Sequence, residues 1–295
     1  MYNQKLSNLQ NFPVPPFEKQ QQEWPGLNSK MNPLPNCGEE YYKGSGLLSG
    51  RKALITGVDS GIGRAVAIAY AREGADVVIN YLPEEESDAL EVIEIIKKEG
   101  RNAVAIAGDI RDENFCIKLV NDAQEQLNGL DILVNNAARQ QYRESIFDLT
   151  TEDLDSTFKT NVYAMFWITK EALKHLKEGA SIINTTSIVA FNPSAILLDY
   201  AQSKAAIVAF TKSLAKQLGK QGIKVNAVTP GPYWTPLQAC GGQPQDVLVE
   251  FGSTMPFKRP GQPIEIAPLY VTLASNRNSY ASGQVWCSDG GMGTI

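Results

Sequence analysis

The chain has 295 residues, of which 43% are hydrophobic, and its formal net charge is −5 at pH 7. This length is enough for one large globular domain and does not require two. The acidic balance disfavours nucleic acid as a partner, and no apolar run approaches the roughly 18 residues of a membrane span. Residues 1–17 resemble neither a secretion signal nor an organelle transit peptide, so we expect a cytoplasmic protein without nucleic-acid or membrane partners.

The first 48 residues differ in composition from the rest of the chain. They are rich in Asn, Gln and Pro, show little periodicity and end in a Gly-Ser-Gly triplet. This composition predicts an extended N-terminal arm over residues 1–48, followed by a single domain over residues 49–295. The aromatic residues Trp24, Tyr41 and Tyr42 indicate that the arm is held against the domain, and a disordered tail is the alternative.

From residue 50 onward, short apolar runs alternate with amphipathic stretches of helical length. The β-branched runs predict seven strands, at 53–56, 77–79, 103–106, 132–134, 182–183, 225–228 and 284–286. The stretches between them predict helices at 63–73, 87–98, 115–127, 153–176 and 200–221. This alternation predicts an α/β fold with a doubly wound parallel sheet of the Rossmann type, whose ligand lies at the carboxyl ends of the strands.

A glycine-rich segment lies between the first predicted strand and the first predicted helix. Its glycines Gly57, Gly61 and Gly63 have the spacing Gly-x-x-x-Gly-x-Gly. Glycines allow a tight turn and a close approach of the backbone to a pyrophosphate, and the helix that follows offers free amides and a positive dipole end. The segment therefore predicts a dinucleotide-phosphate site, with a mere turn as the alternative.

The end of the second predicted strand does not decide between NAD and NADP. An acidic residue there favours NAD and an arginine favours NADP, but residues 80–82 read Asn-Tyr-Leu. The nearby Glu84, Glu85 and Glu86 could bind ribose hydroxyls and repel a 2′-phosphate, or they could form the solvated first turn of a helix. Both cofactors therefore remain open.

Tyr200 and Lys204 stand four residues apart at the start of the last predicted helix. This spacing places both side chains on one helix face, one turn apart. An ammonium beside a phenol favours the phenolate, so we expect the pKa of Tyr200 to fall from its reference value of about 10. Such a phenol suits proton transfer in carbonyl and alcohol chemistry. The alternative is a surface tyrosine packed over a lysine stem.

The sequence gives little support to metal or thiol chemistry. The four cysteines are widely scattered without a Cys-x-x-Cys pair, and His175 is the only histidine. A structural zinc site and a histidine-dependent triad are therefore disfavoured, and we expect no metal.

Taken in chain order, these motifs resemble the short-chain dehydrogenase/reductase family over about residues 48–295. Besides the glycine loop and the Tyr-x-x-x-Lys pair, the matching elements are Gly108-Asp109-Ile110, Asn135-Asn136-Ala137-Ala138, Asn161, Ser187, Pro230-Gly231-Pro232 with Thr235, and Asp289-Gly290-Gly291. One departure is Ala138, where the family usually has glycine. Segments of the arm and residues 232–236 are similar to an extended subgroup that includes bacterial general-stress oxidoreductases, aldehyde reductases and plant homologues of glucose and ribitol dehydrogenase.

The resemblance implies catalytic roles for four residues. Tyr200 would be the general acid in reduction and the base in oxidation, and Lys204 would lower its pKa and bind the nicotinamide ribose. Ser187 would hydrogen-bond the substrate oxygen near Tyr200, and Asn161 would hold a water that relays protons toward Lys204. Two hydroxyl donors aimed at a carbonyl oxygen stabilise the negative charge that hydride transfer creates there.

The resemblance also implies a site for NAD or NADP. Its residues are Gly57, Asp59, Ser60, Gly61, Ile62, Gly63, Tyr81, Asp109, Ile110, Asn135, Ala137, Tyr200, Lys204, Pro230, Gly231 and Thr235. Substrate contacts are expected from the loops after the fourth, fifth and sixth strands, with Gln140, Phe191, Tyr233 and Trp234 as candidates. Residues 238–255 contain glycine and proline and are a candidate lid.

These features predict an NAD(P)-dependent oxidoreductase that interconverts a small aldehyde or ketone with its alcohol. A second hypothesis is a catalytically vestigial dinucleotide-binding protein that acts as a sensor or stress protein. The family resemblance further implies a homotetramer, and we expect the arm to contact a neighbouring subunit.

Overall fold

A seven-stranded parallel sheet organises residues 12–293, which are the part of the chain that the computed structural model describes. Its strands are β1 Lys52–Thr56, β2 Asp76–Tyr81, β3 Ala103–Ala107, β4 Ile132–Asn135, β5 Ser181–Thr185, β6 Lys224–Pro230 and β7 Val285–Ser288. They lie in the order β3-β2-β1-β4-β5-β6-β7, and all neighbouring pairs are parallel. All seven predicted strands are confirmed, with somewhat longer bounds.

Helices cover both faces of this sheet. They are α1 Gly61–Arg72, α2 Glu86–Lys98, α3 Glu113–Leu127, α4 Thr151–Phe158, α5 Ala164–Ala172, α6 Leu198–Leu218, α7 Gln245–Val249 and α8 Pro263–Ala274. Successive strand residues point to opposite faces, so Ala53 and Ile55 pack with α1, α2 and α8, whereas Leu54 packs with α3, α5 and α6. Two apolar cores therefore sandwich the sheet, which confirms the doubly wound architecture.

The strand order reverses beside β1, because β2 lies on one side of it and β4 on the other. In open α/β sheets the crevice for a ligand forms at such a switch point, outside the carboxyl ends of the strands. The loops that follow β1 and β4 contain the glycine-rich segment and residues 135–138. The topology therefore brings two of the sequence motifs to one crevice.

Three helical regions differ from the prediction, and one of them is the short helix α7, which was not predicted. The helix predicted over 153–176 is divided into α4 and α5 by a π-helical turn at Lys159–Tyr163. Helix α8 was not predicted, because its prolines disguise a helical pattern. Pro263 occupies its first turn, where the missing amide costs nothing, and packing of Ile266 against the sheet stabilises the rest.

The described part of the arm, residues 12–48, lies against its own chain. Phe17 stacks on Trp234 with ring centroids 4.1 Å apart, and Phe17 donates a backbone hydrogen bond to Val249. Farther along, the Arg64 guanidinium pairs with Glu39 at 2.9 Å. The predicted contact of the arm with a neighbouring subunit stays a prediction, and residues 1–11 lie outside the described part of the chain.

Glu73, at the end of α1, anchors the junction between arm and domain. Its carboxylate accepts hydrogen bonds from the amides of Ser45 and Leu47, both at 2.9 Å, and from the Tyr42 hydroxyl at 2.8 Å. Burial alone would raise the pKa of Glu73, but these hydrogen bonds hold it below its usual value. The charged form is therefore the one that the folded protein stabilises.

We expect Glu73→Ala to lower the free energy of unfolding by about 1–3 kcal/mol, because the amides of Ser45 and Leu47 and the Tyr42 hydroxyl lose their acceptor. Urea denaturation of this variant, with the exposed Glu40→Ala as control, measures the effect. The native pKa is lower than the unfolded one, so the contribution of Glu73 is present above the unfolded pKa and is lost as the pH falls through the native pKa. Glu73→Gln should remove this part of the acid sensitivity; equal stability of Glu73→Ala and the parent would contradict the assignment.

Within residues 12–293, no helix is long and apolar enough to cross a membrane. The same residues contain no group of three His, Cys, Asp or Glu side chains placed to hold a metal ion. The cysteines Cys37, Cys116, Cys240 and Cys287 are all free thiols.

Candidate active site

One cleft at the carboxyl ends of the strands collects most of the predicted site residues. Of the catalytic candidates, Ser187, Tyr200 and Lys204 line it. The predicted cofactor residues that line it are Gly57, Asp59, Ser60, Gly61, Ile62, Tyr81, Asp109, Ile110, Ala137, Tyr200, Lys204, Pro230, Gly231 and Thr235. Gly63 and Asn135 lie just behind this surface, and each of them supports it.

The glycine loop fits its surroundings only because it lacks side chains. A Cβ on Gly63 would lie 1.9 Å from the Gly57 carbonyl oxygen, and one on Gly61 would lie 2.9 Å from Cγ2 of Thr235. Asn136 fastens the loop by donating from Nδ2 to the Gly57 carbonyl at 2.9 Å. The first turn of α1 leaves its amides without helical acceptors, so this cradle fits the pyrophosphate of a dinucleotide.

Asn135 supports the cleft from inside the sheet. Its Nδ2 donates to Oδ1 of Asn184 at 2.9 Å and to the Thr169 hydroxyl at 3.1 Å. Next to it, the Thr56 hydroxyl accepts hydrogen bonds from the amides of Asn136 and Ala137. These bonds tie the end of β4 to the end of β1 and hold the Ala137 backbone at the cleft wall.

A buried pair of carboxyl groups lines the cleft beside the end of β2. Asp59 and Glu85 are 2% and 8% exposed, and their side chains hydrogen-bond each other. Burial raises the pKa of both groups, and the charge of Asp59 raises that of Glu85 further. Because two adjacent buried carboxylates cannot both ionise, the pair holds one proton and one negative charge at neutral pH. Glu84 and Glu86, by contrast, are exposed.

Tyr200 and Lys204 lie one turn apart on α6, as their spacing predicted. Both are buried, and Nζ of Lys204 lies 5.4 Å from the centroid of the Tyr200 ring and donates to the Thr185 carbonyl at 2.9 Å. Ser187 follows β5 and hydrogen-bonds the Tyr200 side chain. A hydroxyl pair and an amine therefore converge on one wall of the cleft.

The predicted fall in the pKa of Tyr200 is wrong for this structure. Burial raises the pKa of its phenol, and the hydrogen bond from Ser187 offsets only part of that rise. Burial also lowers the pKa of Lys204 to about 7, which weakens the cation that was expected to favour the phenolate. Tyr200 is therefore a protonated phenol at neutral pH, which is the form that donates a proton.

Asn161 lies behind the cleft, in the π-helical turn between α4 and α5. Its Oδ1 accepts from the Arg139 amide at 2.7 Å, and its Nδ2 donates to the Arg139 carbonyl at 3.0 Å and to Oγ of Ser203 at 2.9 Å. Ser203 in turn donates to the Tyr200 carbonyl at 2.7 Å. The side chain thus positions the start of α6 against the loop after β4, and the predicted water relay stays a prediction.

Comparison with known proteins places this site in a family. A family model described as enoyl-(acyl carrier protein) reductase matches residues 57–293. A short-chain dehydrogenase of Burkholderia cenocepacia, solved in complex with NADP, is 37% identical, with a TM-score of 0.77 over 83% of this chain and 98% of that chain. An oxidoreductase of Bacillus subtilis is 56% identical over 281 residues, which are 94% of each chain. The chain belongs to the short-chain dehydrogenase/reductase family.

This membership confirms the resemblance drawn from the motifs, and with it an oxidoreductase that uses NAD(P). A further relative is the NADPH-dependent aldehyde reductase 1, chloroplastic, of Arabidopsis thaliana. It is 44% identical over 281 residues, which are 93% of this chain and 97% of the relative.

The substrate candidates of this short-chain dehydrogenase/reductase divide into two groups. Gln140 and Tyr233 line the cleft, where Gln140 donates to the Gly242 carbonyl at 2.8 Å. Phe191 is half-buried outside the cleft lining. Trp234 is fully buried beneath the arm and donates from Nε1 to the Pro33 carbonyl at 2.8 Å, so its assignment to the substrate is wrong.

Sequence analysis missed several residues that line the cleft of this short-chain dehydrogenase/reductase. They include Trp24 and Pro25 of the arm, Asn136, Thr185 and Thr186, whereas Glu85, which had been considered for the ribose hydroxyls, does line it. Asn136 and Thr185 had a usable signal, since each stands next to a recognised motif or strand end. Trp24 and Pro25 had none, because their place depends on the path of the arm across the domain.

Proposed function

We propose that the protein is an NAD(P)-dependent oxidoreductase that interconverts an aldehyde or ketone with its alcohol, with Tyr200 as general acid and base. The observation that carries the proposal is the convergence of Ser187, Tyr200 and Lys204 on the cleft that also contains the glycine cradle. The name of the Arabidopsis relative, an aldehyde reductase, supports a carbonyl substrate. Gln140 and Tyr233 are the proposed substrate contacts, since both line the cleft.

The reacting oxygen would lie between the hydroxyls of Ser187 and Tyr200, which hydrogen-bond each other in the cleft. When bound, NAD(P)H supplies a hydride to the carbonyl carbon. Both hydroxyls then donate to the oxygen as negative charge develops there, and Tyr200 transfers its proton to it. In the oxidative direction Tyr200 takes the proton of the alcohol, for which it must first be a phenolate.

Lys204 acts on this proton transfer through its position beside the Tyr200 ring. Its Nζ is fixed by the Thr185 carbonyl, so a positive charge on it favours the phenolate after the proton has left. The homotetramer, the contact of the arm with a neighbouring subunit and the cytoplasmic location remain part of the proposal.

We expect the purified protein to oxidise NADH or NADPH in the presence of at least one member of a panel of small aldehydes and ketones. Carbonyl reduction should proceed at neutral pH, because the raised pKa of Tyr200 keeps this proton donor protonated. Alcohol oxidation should instead accelerate as the pH rises, because the phenolate that takes the proton is a minor form at neutral pH and its fraction increases with pH. The rates of carbonyl reduction and of alcohol oxidation, each measured over a range of pH, test this expectation.

Reduction that accelerates with rising pH would contradict Tyr200 as the acid. Tight cofactor binding without turnover of any panel member would favour the second hypothesis, a dinucleotide-binding sensor or stress protein.

A further inference from the structure

The arm places two residues inside the candidate active site. Trp24 and Pro25 line the cleft together with the glycine loop, the end of β2 and the loop after β3. Trp24 is half-buried in this lining. An aromatic ring that faces a dinucleotide cleft is a ready apolar wall for a ligand.

The Trp24 ring lies close to two guanidinium groups. Arg111 lies 5.5 Å and Arg139 lies 5.8 Å from its ring centroid, within the range of cation–π attraction. Each arginine is itself fixed by a carboxylate, since Arg111 pairs with Asp109 at 2.6 Å and Arg139 with Asp153 at 3.0 Å. The ring therefore bridges the loop after β3 and the loop after β4, across the mouth of the cleft.

The arm segment that carries Trp24 is a closed turn. The Gln22 side chain accepts from the Leu27 amide at 2.7 Å and donates to the Leu27 carbonyl at 3.1 Å. At its base, Gly26 has a φ of +85°, and a Cβ there would lie 3.0 Å from Cβ of Cys240. The arm turn is therefore in direct contact with the loop after β6, and this contact fixes the position of Trp24.

The turn is also attached to the phosphate cradle. The Asn28 amide donates to the buried Asp88 carboxylate at 2.6 Å, and Oδ1 of Asn28 accepts from the Gly61 amide at 3.4 Å. On the other side, the Gln22 amide donates to the Ala239 carbonyl at 3.1 Å. The arm thus spans from the glycine loop to the loop after β6 and crosses the cleft between them.

We propose that Trp24 and Pro25 are part of the dinucleotide-binding wall, and that the arm retains the bound cofactor. The inference rests on the NAD(P) site of the proposed function and adds a binding surface outside the Rossmann core. The ring lines the cleft together with the end of β2, where dinucleotide-binding sheets recognise the adenosine ribose, so the half of the cofactor that it contacts is the adenosine half. The turn must separate from the cleft mouth for that half to leave, so the arm slows dissociation.

The test is the binding of NADH and NADPH to the full-length protein, measured by titration and by stopped-flow displacement. Trp24→Ala should raise both Kd and the dissociation rate about tenfold, as expected for the loss of one stacked aromatic ring. Trp24→Phe keeps a ring and should stay within about threefold of the parent. Tyr41→Ala is the matched control, because Tyr41 is an exposed aromatic residue of the same arm that does not line the cleft. Unchanged Kd and dissociation rate in Trp24→Ala would overturn the proposal.

A measurement on the parent protein covers the case in which Trp24→Ala does not fold. Saturation with NADH should slow hydrogen–deuterium exchange in residues 20–28 and leave residues 38–43, away from the cleft, unchanged. Equal exchange of residues 20–28 with and without NADH would overturn the inference. Failure of the parent to bind either cofactor would instead refute the proposed function, so the two failures are distinguishable.

Discussion

Replacement of Tyr200 by phenylalanine is expected to lower kcat for carbonyl reduction by about 100-fold to 10,000-fold, the usual contribution of a general acid. Phenylalanine keeps the ring beside Nζ of Lys204 and the buried packing of α6, so the change removes only the hydroxyl that hydrogen-bonds Ser187. The Kd for NADH or NADPH should stay within about threefold of the parent, because an interaction used only in the transition state does not contribute to ground-state binding.

Steady-state rates and cofactor titrations of the same preparations separate these two effects. Tyr280→Phe is the matched control, since it also removes one phenolic hydroxyl but at a fully exposed position. A Tyr200→Phe protein that reduces its substrate at the parent rate would show that another group supplies the proton. An equal loss of cofactor binding and of rate would instead assign Tyr200 to the cofactor site alone.

NADH is expected to bind at least about tenfold more tightly than NADPH, because a like charge beside a bound anion costs more than the 1.4 kcal/mol that a factor of ten represents. The Asp59–Glu85 pair lines the cleft next to the end of β2, which is where dinucleotide-binding sheets recognise the adenosine ribose. Its remaining negative charge would oppose a 2′-phosphate, whereas its oxygens can accept hydrogen bonds from ribose hydroxyls. Arg111 is the nearby cation, and Asp109 already neutralises it.

The double variant Asp59→Asn, Glu85→Gln should remove most of this preference by raising the affinity for NADPH. Glu85→Gln alone replaces the protonated member of the pair, so one charge stays on Asp59 and the preference should persist. The exposed Glu84→Gln is the matched control. The preference for NADH over NADPH should also decrease at acidic pH. The raised pKa of Asp59 means that the pair becomes neutral at a higher pH than an ordinary carboxyl group would. Tighter binding of NADPH by the parent would mean that Arg111 leaves Asp109 for the phosphate.

Local sequence patterns were sufficient to predict the strands, the glycine loop and the proximity of Tyr200 and Lys204. The period of apolar residues defines the strands, and the spacing of Gly57, Gly61 and Gly63 is a property of one turn between a strand and a helix. Likewise, the four-residue spacing of Tyr200 and Lys204 brings the two side chains together in any helix. These features depend on residues that are close together in the chain, so they can be recognised from the sequence without a structure.

Burial and contacts between distant parts of the chain decided which side chains line the cleft and in which direction their pKa values shift. Trp24 and Trp234 both lie within two residues of a proline, yet the first lines the cleft and the second lies beneath the arm, because the arm crosses the loop after β6. Glu85 differs from Glu84 only in being turned inward beside Asp59, which makes it a paired acid rather than a solvated one. The rise in the pKa of Tyr200, where the sequence predicted a fall, follows from desolvation, which exists only once the chain has folded around it. The sequence alone was sufficient to predict the family and the sheet and to propose the catalytic residues, because these depend on local patterns. The tertiary structure decided the burial and pKa of each group and which aromatic residue lines the cleft, because these depend on contacts between distant parts of the chain.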